Sequence, residues 1–304
     1  MRCFFAMALV GVVCLNGQAQ DKRPDPTVAN MAYGSHERQA LDFWQAKAEK
    51  PTPLVLYIHG GGWQAGDKNS LNAAALKQFL DAGISVAAIN YRYTSQAAAD
   101  KVEPPVKAPL HDAARALQTI RSKSSEWNLD KKRVGATGGS AGACSSLWLA
   151  FHDDMADPKS SDPIARESTR LTCAAVNGAQ VSLDPKELRE WIPNYGYGAH
   201  AFGLKNLDQV MEKRNDIMPW IKEYSPIEHL TKDDPAILLA YGKQETPPTV
   251  GSKQKDPTHS GVMGVKLAER CKAVGVECIL IHQDQTNPQY KGTTDFLIDR
   301  LKSK

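Results

Sequence analysis

The sequence lacks the patterns that mark several large classes of protein. No apolar run reaches the roughly 20 residues that a membrane-spanning helix needs, and the run at residues 3–15 is too short. The net charge is only +3, without the basic stripe and interleaved aromatics of a nucleic-acid-binding surface. No Cys and His spacing is typical of a metal site, and no dinucleotide-binding fingerprint is present. We therefore expect no metal, no cofactor, no nucleic-acid partner and no membrane span.

Cysteine is also scarce, with six residues in a chain of 304. Two of them, Cys3 and Cys14, lie in the N-terminal apolar run, which leaves four in the remainder. Four cysteines in a chain of this size do not form a disulfide scaffold. Cys271 and Cys278 fit either a disulfide in an oxidising compartment or two buried free thiols, and both interpretations stay open here.

The first 19 residues have the pattern of a secretory signal peptide. Arg2 precedes the apolar run, and the small residues Gly17 and Ala19 would occupy the −3 and −1 positions of a cleavage site. We expect cleavage near Ala19 and export to the periplasm or the extracellular medium. The mature chain would then comprise residues 20–304.

Beyond this leader, short apolar runs alternate with segments of helical periodicity, which predict strands and helices respectively. The residues around the turn at 34–38 predict an antiparallel hairpin at a sheet edge. The predicted strands cover residues 54–58, 84–89, 171–176, 236–241 and 276–281, with another beginning at residue 133, and the predicted helices cover residues 71–82, 110–122, 262–273 and 293–301.

This alternation predicts an α/β fold with a mostly parallel central sheet and helices on both faces. A hydrophobic content of 42% is enough for a sizeable core. Two segments interrupt the pattern. Residues 94–106 are rich in Ala and Pro and predict a loop, whereas residues 181–230 combine aromatics with Pro and Gly. We interpret the second segment as a small cap insertion within one domain of residues 20–304.

The sequence Gly-Gly-Ser-Ala-Gly at residues 138–142 matches the pattern G-x-S-x-G between a predicted strand and a predicted helix. A serine at such a sharp turn exposes its hydroxyl at the end of the sheet, and the flanking small residues let strand and helix pass closely. Ser140 is therefore a candidate nucleophile. The alternatives are an ordinary glycine-rich turn between strand and helix and a phosphate-binding loop at a helix N-terminus.

The sequence His-Gly-Gly-Gly-Trp at residues 59–63 follows another predicted strand. Consecutive glycines let the backbone approach a substrate and direct N–H groups towards an oxygen that becomes negative during acyl transfer. Gly61 and Gly62, with Ala141 directly after the serine, are the candidate donors. This motif followed downstream by G-x-S-x-G is far more specific than either motif alone.

With these motifs in this order, the chain resembles the α/β-hydrolase superfamily over most of residues 30–302. Within it, the chain is most similar to the HGGG-bearing esterases and lipases related to hormone-sensitive lipase and bacterial acetyl esterases. The resemblance implies that Ser140 is the nucleophile and that Gly61, Gly62 and Ala141 form an oxyanion hole. It also implies that Glu245, in the G-x-x-D position of residues 242–245, is the triad acid, although a solvated loop carboxylate remains possible there.

The sequence departs from this family at the general base. The family's histidine follows the last strand, and the corresponding position falls at Thr286-Asn287, where no histidine occurs. His282, about four residues earlier, is the first candidate base, and His259, after the acid loop, is the alternative. A degenerate triad is the remaining interpretation.

These features predict a secreted serine carboxylesterase that hydrolyses short-chain, acetyl-type esters through a Ser140 acyl-enzyme. By the resemblance, its substrate is a small-molecule ester or an acetylated carbohydrate. The alternative is a non-catalytic α/β-hydrolase homologue that binds an ester or glycan ligand. No feature of the sequence specifies an oligomeric state.

Overall fold

The fold is built on one twisted sheet, seen in a computed structural model that describes residues 23–242, 247–283 and 285–303. Within these ranges the sheet has eight strands in the order β1-β2-β4-β3-β5-β6-β7-β8. The strands are β1 Val28–Ala32, β2 Ala40–Trp44, β3 Thr52–Ile58, β4 Ser85–Ile89, β5 Leu129–Gly139, β6 Cys173–Asn177, β7 Ala236–Ala240 and β8 Cys278–Ile281. The predicted signal peptide lies outside the described residues.

Six strands, β3 to β8, run parallel, and the hairpin β1–β2 joins their edge in the antiparallel sense. In the parallel part, Ile58 pairs with Gly138 and Gly139 pairs with Asn177, so three strand ends meet at one edge of the sheet. Residues that follow the carboxyl ends of parallel strands gather at such an edge. The predicted mostly parallel sheet is confirmed.

Ten α-helices connect these strands within the described residues. They are α1 Ala73–Asp81, α2 Thr94–Ala99, α3 Lys107–Ser122, α4 Ala141–Phe151, α5 Pro185–Trp191, α6 Leu207–Glu212, α7 Met218–Tyr224, α8 Pro226–His229, α9 Gly261–Val274 and α10 Thr293–Lys302. Helices α1 and α10 cover one face of the sheet, and α3, α4 and α9 cover the other. Each face therefore has its own hydrophobic core, as the strand–helix alternation predicts.

One predicted loop, residues 94–106, is partly helical, because α2 occupies Thr94–Ala99. The side chain of Gln96 accepts a hydrogen bond from the Tyr93 N–H at 2.9 Å, which satisfies one of the donors that a helix N-terminus leaves free. The alanines that follow have the highest helix propensity. The loop is predicted partly from the prolines of this segment, which follow the end of the helix.

The segment predicted as a cap, residues 181–230, contains four short helices, α5 to α8, and a 3-10 turn at Ala199–Phe202. Its aromatic side chains Trp191, Tyr195 and Phe202 are buried in the core that also receives α4. The segment is therefore packed onto the face of the sheet that α4 covers. None of the helices in the described residues is long and apolar enough to cross a membrane.

The four cysteines among the described residues are free thiols. Cys278 on β8 and Cys271 on α9 are close enough for their side chains to hydrogen-bond, and this contact together with burial raises the pKa of the Cys278 thiol. Of the two interpretations, a disulfide or two free thiols, the structure therefore has the free thiols.

His111, on α3, makes the stability of this fold dependent on pH. The ring packs beside Trp148 and Tyr224, and burial lowers its pKa from 6.5 to about 4. The unfolded chain binds this proton more readily than the folded chain does. His111 therefore does not lower the free energy of unfolding above pH 6.5, and it lowers it as the pH falls towards 4. The resulting loss in the free energy of unfolding is about 3 kcal/mol at most.

We expect His111→Phe to unfold with a shallower loss of stability between pH 6.5 and 4 than the wild type. Urea unfolding followed by circular dichroism at several pH values measures this difference. Parallel profiles for the two proteins would contradict the assignment of this pH dependence to His111.

Candidate active site

Ser140 occupies the sharp turn between β5 and α4, with φ 53° and ψ −121°. Its N–H donates to the carbonyl oxygen of Asn177 at 3.0 Å, which fixes the turn to the end of β6. A Cβ at Gly138 or Gly142 would lie 2.4 or 2.0 Å from the carbonyl oxygen of Ile58. These two glycines are therefore required by the close passage of β3, and the strained conformation presents the Ser140 hydroxyl at the edge of the sheet.

The glycine loop after β3 lies directly beside this serine. A Cβ at Gly60 would stand 3.5 Å from the Cβ of Ser140. Gly61 and Gly62 have φ values of 102° and 62°, a region that favours glycine. Within the described part of the chain, no acceptor takes the N–H groups of Gly61, Gly62 or Ala141. These three donors are thus available next to the serine.

His59 and Arg38 hold the glycine loop in place. Burial lowers the pKa of His59 to about 4, so the ring is neutral near pH 7. Its Nδ1–H then donates to the carbonyl oxygen of Gly60 at 2.7 Å, and its Nε2 accepts from the Arg38 guanidinium at 3.2 Å. Arg38 also stacks on the ring of Tyr93 at 3.8 Å. His59 is therefore a positioning residue for the loop and not a free base.

The imidazole that meets the serine is His259. Its Nε2 lies 2.9 Å from the Ser140 Oγ. The ring stands on a 3-10 turn, Pro257–His259, between β7 and α9, and it packs over Gly178 at the end of β6. His259, the alternative base of the sequence analysis, is the histidine that the described structure brings within hydrogen-bond distance of Ser140.

A carboxylate holds the other side of this ring. Asp256 Oδ2 accepts from the His259 Nδ1 at 2.9 Å, and Asp256 Oδ1 accepts from the His259 backbone N–H at 3.2 Å. With the Nδ1 proton engaged, the lone pair of His259 Nε2 is directed at the Ser140 hydroxyl. Sequence reasoning missed Asp256. The available signal was its spacing of three residues before His259, which places it at the start of a helical turn.

His282, the first candidate base, lies elsewhere. It follows β8, and its backbone forms a bridge with Gln285. Its side chain lines a small cavity with Tyr241, Pro248 and Gly261. The position at which the family's histidine is expected, Thr286-Asn287, is used differently, because Asn287 Oδ1 accepts the N–H groups of the two residues at 289 and 290.

Glu245, the acid that the resemblance implies, belongs to residues 243–246, which lie outside the described residues together with Asp284. The strand that precedes it, β7, ends at Ala240, so the predicted strand at 236–241 is confirmed. The role of Glu245 stays a prediction.

Two side chains of the inserted segment lie next to the glycine loop. A Cβ at Gly62 would lie 1.9 Å from the Tyr197 hydroxyl oxygen, so this half-buried hydroxyl stands over the loop. His200 packs edge-on against Tyr197 with ring centroids 5.0 Å apart. Burial lowers the pKa of His200, and a hydrogen bond to the backbone carbonyl oxygen of Gly62 opposes this effect. Two polar side chains of the insertion thus flank the candidate oxyanion hole.

This arrangement has counterparts among known proteins. The BD-FAE family model matches residues 41–257, more than half of the chain, and this range includes the serine turn and the glycine loop. The chain belongs to the BD-FAE family. Solved structures confirm the α/β-hydrolase fold: a truncated carbohydrate esterase from gut microbiota has a TM-score of 0.67 at 20% identity, covering 91% of this chain and 96% of that one. An acetyl ester-xyloside bifunctional hydrolase from Caldicellulosiruptor lactoaceticus has a TM-score of 0.59 at 23% identity, covering 80% and 76%.

Two curated relatives of this BD-FAE protein come from Mycobacterium tuberculosis. The probable carboxylic ester hydrolase LipM is 25% identical over 71% of this chain and 48% of its own length. Esterase LipC is 25% identical over 70% of this chain and 50% of its own length. The chain therefore spans about half the length of these relatives.

Proposed function

We propose that this BD-FAE protein is a serine carboxylesterase that hydrolyses short-chain, acetyl-type esters. One observation carries the proposal, namely the continuous hydrogen-bonded chain from Ser140 Oγ through His259 to Asp256. A serine hydroxyl is a weak nucleophile unless a base takes its proton, and this chain supplies the base together with the group that orients it. The names of the esterase relatives support the same reaction class.

The reaction would proceed in two halves. His259 Nε2 takes the Ser140 proton while Oγ attacks the ester carbonyl carbon, and the resulting oxyanion accepts hydrogen bonds from the N–H groups of Gly61, Gly62 and Ala141. Collapse of this intermediate breaks the bond to the alkoxide, which leaves with the proton from His259. Water then repeats the sequence on the acyl-enzyme, and the carboxylic acid is released.

In this scheme Asp256 orients His259 and stabilises the imidazolium that forms. The Asp256 side chain is 55% exposed, so water screens its charge. We expect Asp256→Asn to lower kcat about tenfold to a hundredfold, less than the loss of a buried triad acid. Initial rates with p-nitrophenyl acetate measure this effect, and Glu245→Gln is the matched variant. A larger loss in Glu245→Gln than in Asp256→Asn would make Glu245 the acid.

Carbohydrate esters are the substrate class that we propose within this reaction. Tyr197 and His200 bring a hydroxyl and an imidazole to the rim of the glycine loop, where the substrate's alcohol or acyl portion would lie. Two of the structural neighbours are named for carbohydrate or acetyl-xyloside chemistry.

We also propose that the protein is exported after cleavage near Ala19. The N-terminal sequence of protein secreted by the native host tests this.

The experiment that tests the proposed function combines turnover with covalent capture. The purified protein should release p-nitrophenol from p-nitrophenyl acetate, and a dye-bearing fluorophosphonate should lose fluoride to the attacking Ser140 Oγ and add one phosphonyl label to the peptide that contains Ser140. Peptide mass spectrometry locates the label. Absence of both turnover and label would reject the esterase proposal and favour a homologue that binds its ligand without reaction.

A further inference from the structure

A second cluster of functional side chains lies at the far end of α4. His152 follows the helix, Glu223 stands on α7 and His229 on α8. His152 Nε2 is 3.2 Å from Glu223 Oε1, and the two imidazole rings have centroids 4.8 Å apart. One donor atom from each of the three side chains lies within 4.8 Å of the others. The proposed esterase mechanism uses none of them.

The hydrogen bonds of the neutral His152 ring leave its Nε2 as an acceptor. Its Nδ1 lies 2.8 Å from the carbonyl oxygen of Asp153, an oxygen that can only accept, so Nδ1 carries a proton. In the neutral ring Nε2 then holds a lone pair, and this lone pair faces the Glu223 carboxylate. Two acceptors at 3.2 Å repel each other unless a cation or an added proton lies between them.

A backbone carbonyl oxygen also holds one ring nitrogen of His229. Its Nε2 lies 2.6 Å from the carbonyl oxygen of Glu223, so that nitrogen donates, and the lone pair of the neutral ring is on Nδ1. The same carbonyl oxygen also accepts from the Trp148 indole at 2.8 Å. A histidine that ligates a metal normally donates its other N–H to a carbonyl or carboxylate oxygen, which fixes the ring. Both rings of this cluster have such a partner.

We propose that His152, Glu223 and His229 bind one divalent transition-metal ion of the zinc class, with water as the remaining ligand. Zinc takes imidazole nitrogen and carboxylate oxygen at about 2 Å, in a tetrahedron whose ligand atoms lie about 3.3 Å apart. The separation of His152 Nε2 and Glu223 Oε1 matches this value. The Glu223 side chain is 41% exposed, so it has room to change its rotamer when the ion binds.

The surrounding charges permit such an ion. Arg170 is the nearby cation, with Nη1 3.4 Å from the His152 carbonyl oxygen. Its guanidinium is directed to the Asp233 carboxylate at 3.2 Å, which offsets its charge. Lys222 is exposed beside Glu223. Two neutral imidazoles and a carboxylate would leave the bound ion with a net charge of about +1.

The ion would anchor the inserted segment to the sheet and leave the chemistry alone. His152 is twelve residues after Ser140 along a helix, or about 18 Å at 1.5 Å per residue. Helices α7 and α8 belong to the insertion, whereas α4 crosses the core. A metal that joins them stabilises the folded state, because the three ligands are far apart in the unfolded chain.

Isothermal titration calorimetry with zinc chloride tests the proposal on full-length protein that carries no affinity tag and has been stripped with a chelator. We expect one ion per chain and a rise in Tm with zinc but not with magnesium. His152→Gln, Glu223→Gln and His229→Gln should each weaken binding at least about tenfold. Glu228→Gln is the matched control, because it removes an exposed carboxylate next to His229 and should bind zinc as the wild type does.

Three results would overturn the inference. They are the absence of zinc binding, binding that survives all three cluster variants, and binding lost in His259→Asn but retained in the cluster variants. The first would leave the contact between His152 and Glu223 as a hydrogen bond without a metal. The visible spectrum of the cobalt-substituted protein provides a second readout for a tetrahedral site with nitrogen and oxygen ligands. Circular dichroism of each variant without metal verifies that it folds.

Discussion

His259→Ala should lower kcat/KM for p-nitrophenyl acetate by about 10⁴- to 10⁶-fold, to the same level as Ser140→Ala. The two residues act as one unit, because the Ser140 Oγ and the His259 Nε2 share a hydrogen bond of 2.9 Å. Without the imidazole the hydroxyl keeps its proton and barely attacks. The double variant should be no slower than either single variant, since residues that act together are not additive.

His282→Ala is the matched control for this prediction. It also removes one imidazole, but from the cavity beside Tyr241 and Gly261. We expect it to keep a rate within a few fold of the wild type. A large loss in His282→Ala together with a nearly unchanged His259→Ala would show that the base is the histidine after the last strand.

The second large effect is expected from Gly61→Ala, which should lower kcat by about 10²- to 10³-fold through loss of oxyanion stabilisation. The new Cβ would lie 2.2 Å from the carbonyl oxygen of Ala65, and the φ of 102° is one that alanine rarely adopts. The loop has to move, and the N–H groups of Gly61 and Gly62 move with it. Initial rates with p-nitrophenyl acetate measure the loss.

Gly83→Ala separates the effect on the donors from the general cost of a positive φ. Gly83 has a φ of 76°, and a Cβ there would meet nothing within 4 Å. We expect this variant to lose about 1 kcal/mol of stability and to keep its rate. If Gly61→Ala also retained the wild-type rate, Gly61 would have no part in the oxyanion hole.

The sheet and the serine turn could be predicted from the sequence because their signals are local. Apolar runs of about six residues identify buried strands, and the pattern at residues 138–142 reports directly that two backbones pass closely there. The boundaries are less well defined. β5 begins at Leu129, four residues before the predicted start, because the residues that follow Leu129, up to Arg133, are charged and exposed or only partly buried.

The imidazole partner of Ser140 could not be chosen from the sequence in the same way. The prediction favoured His282 by counting from the last strand, whereas His259 stands before α9 on a connection whose path no local pattern specifies. Long loops are placed by tertiary contacts, here the packing of the His259 ring over Gly178. The family model ends at residue 257, between Asp256 and His259, so its match does not include the histidine.

The placement of Asp256 and His259 on a single 3-10 turn has a consequence for how such a protein could be altered. In a design where acid and base come from separate connections, an insertion in either one misaligns the pair. Here both groups lie within four consecutive residues that share two hydrogen bonds, and Gln180 Nε2 fixes this turn by donating to the Thr258 carbonyl oxygen at 2.7 Å. Lengthening the connection on either side would move both groups away from Ser140 together, and restoring its length would return both.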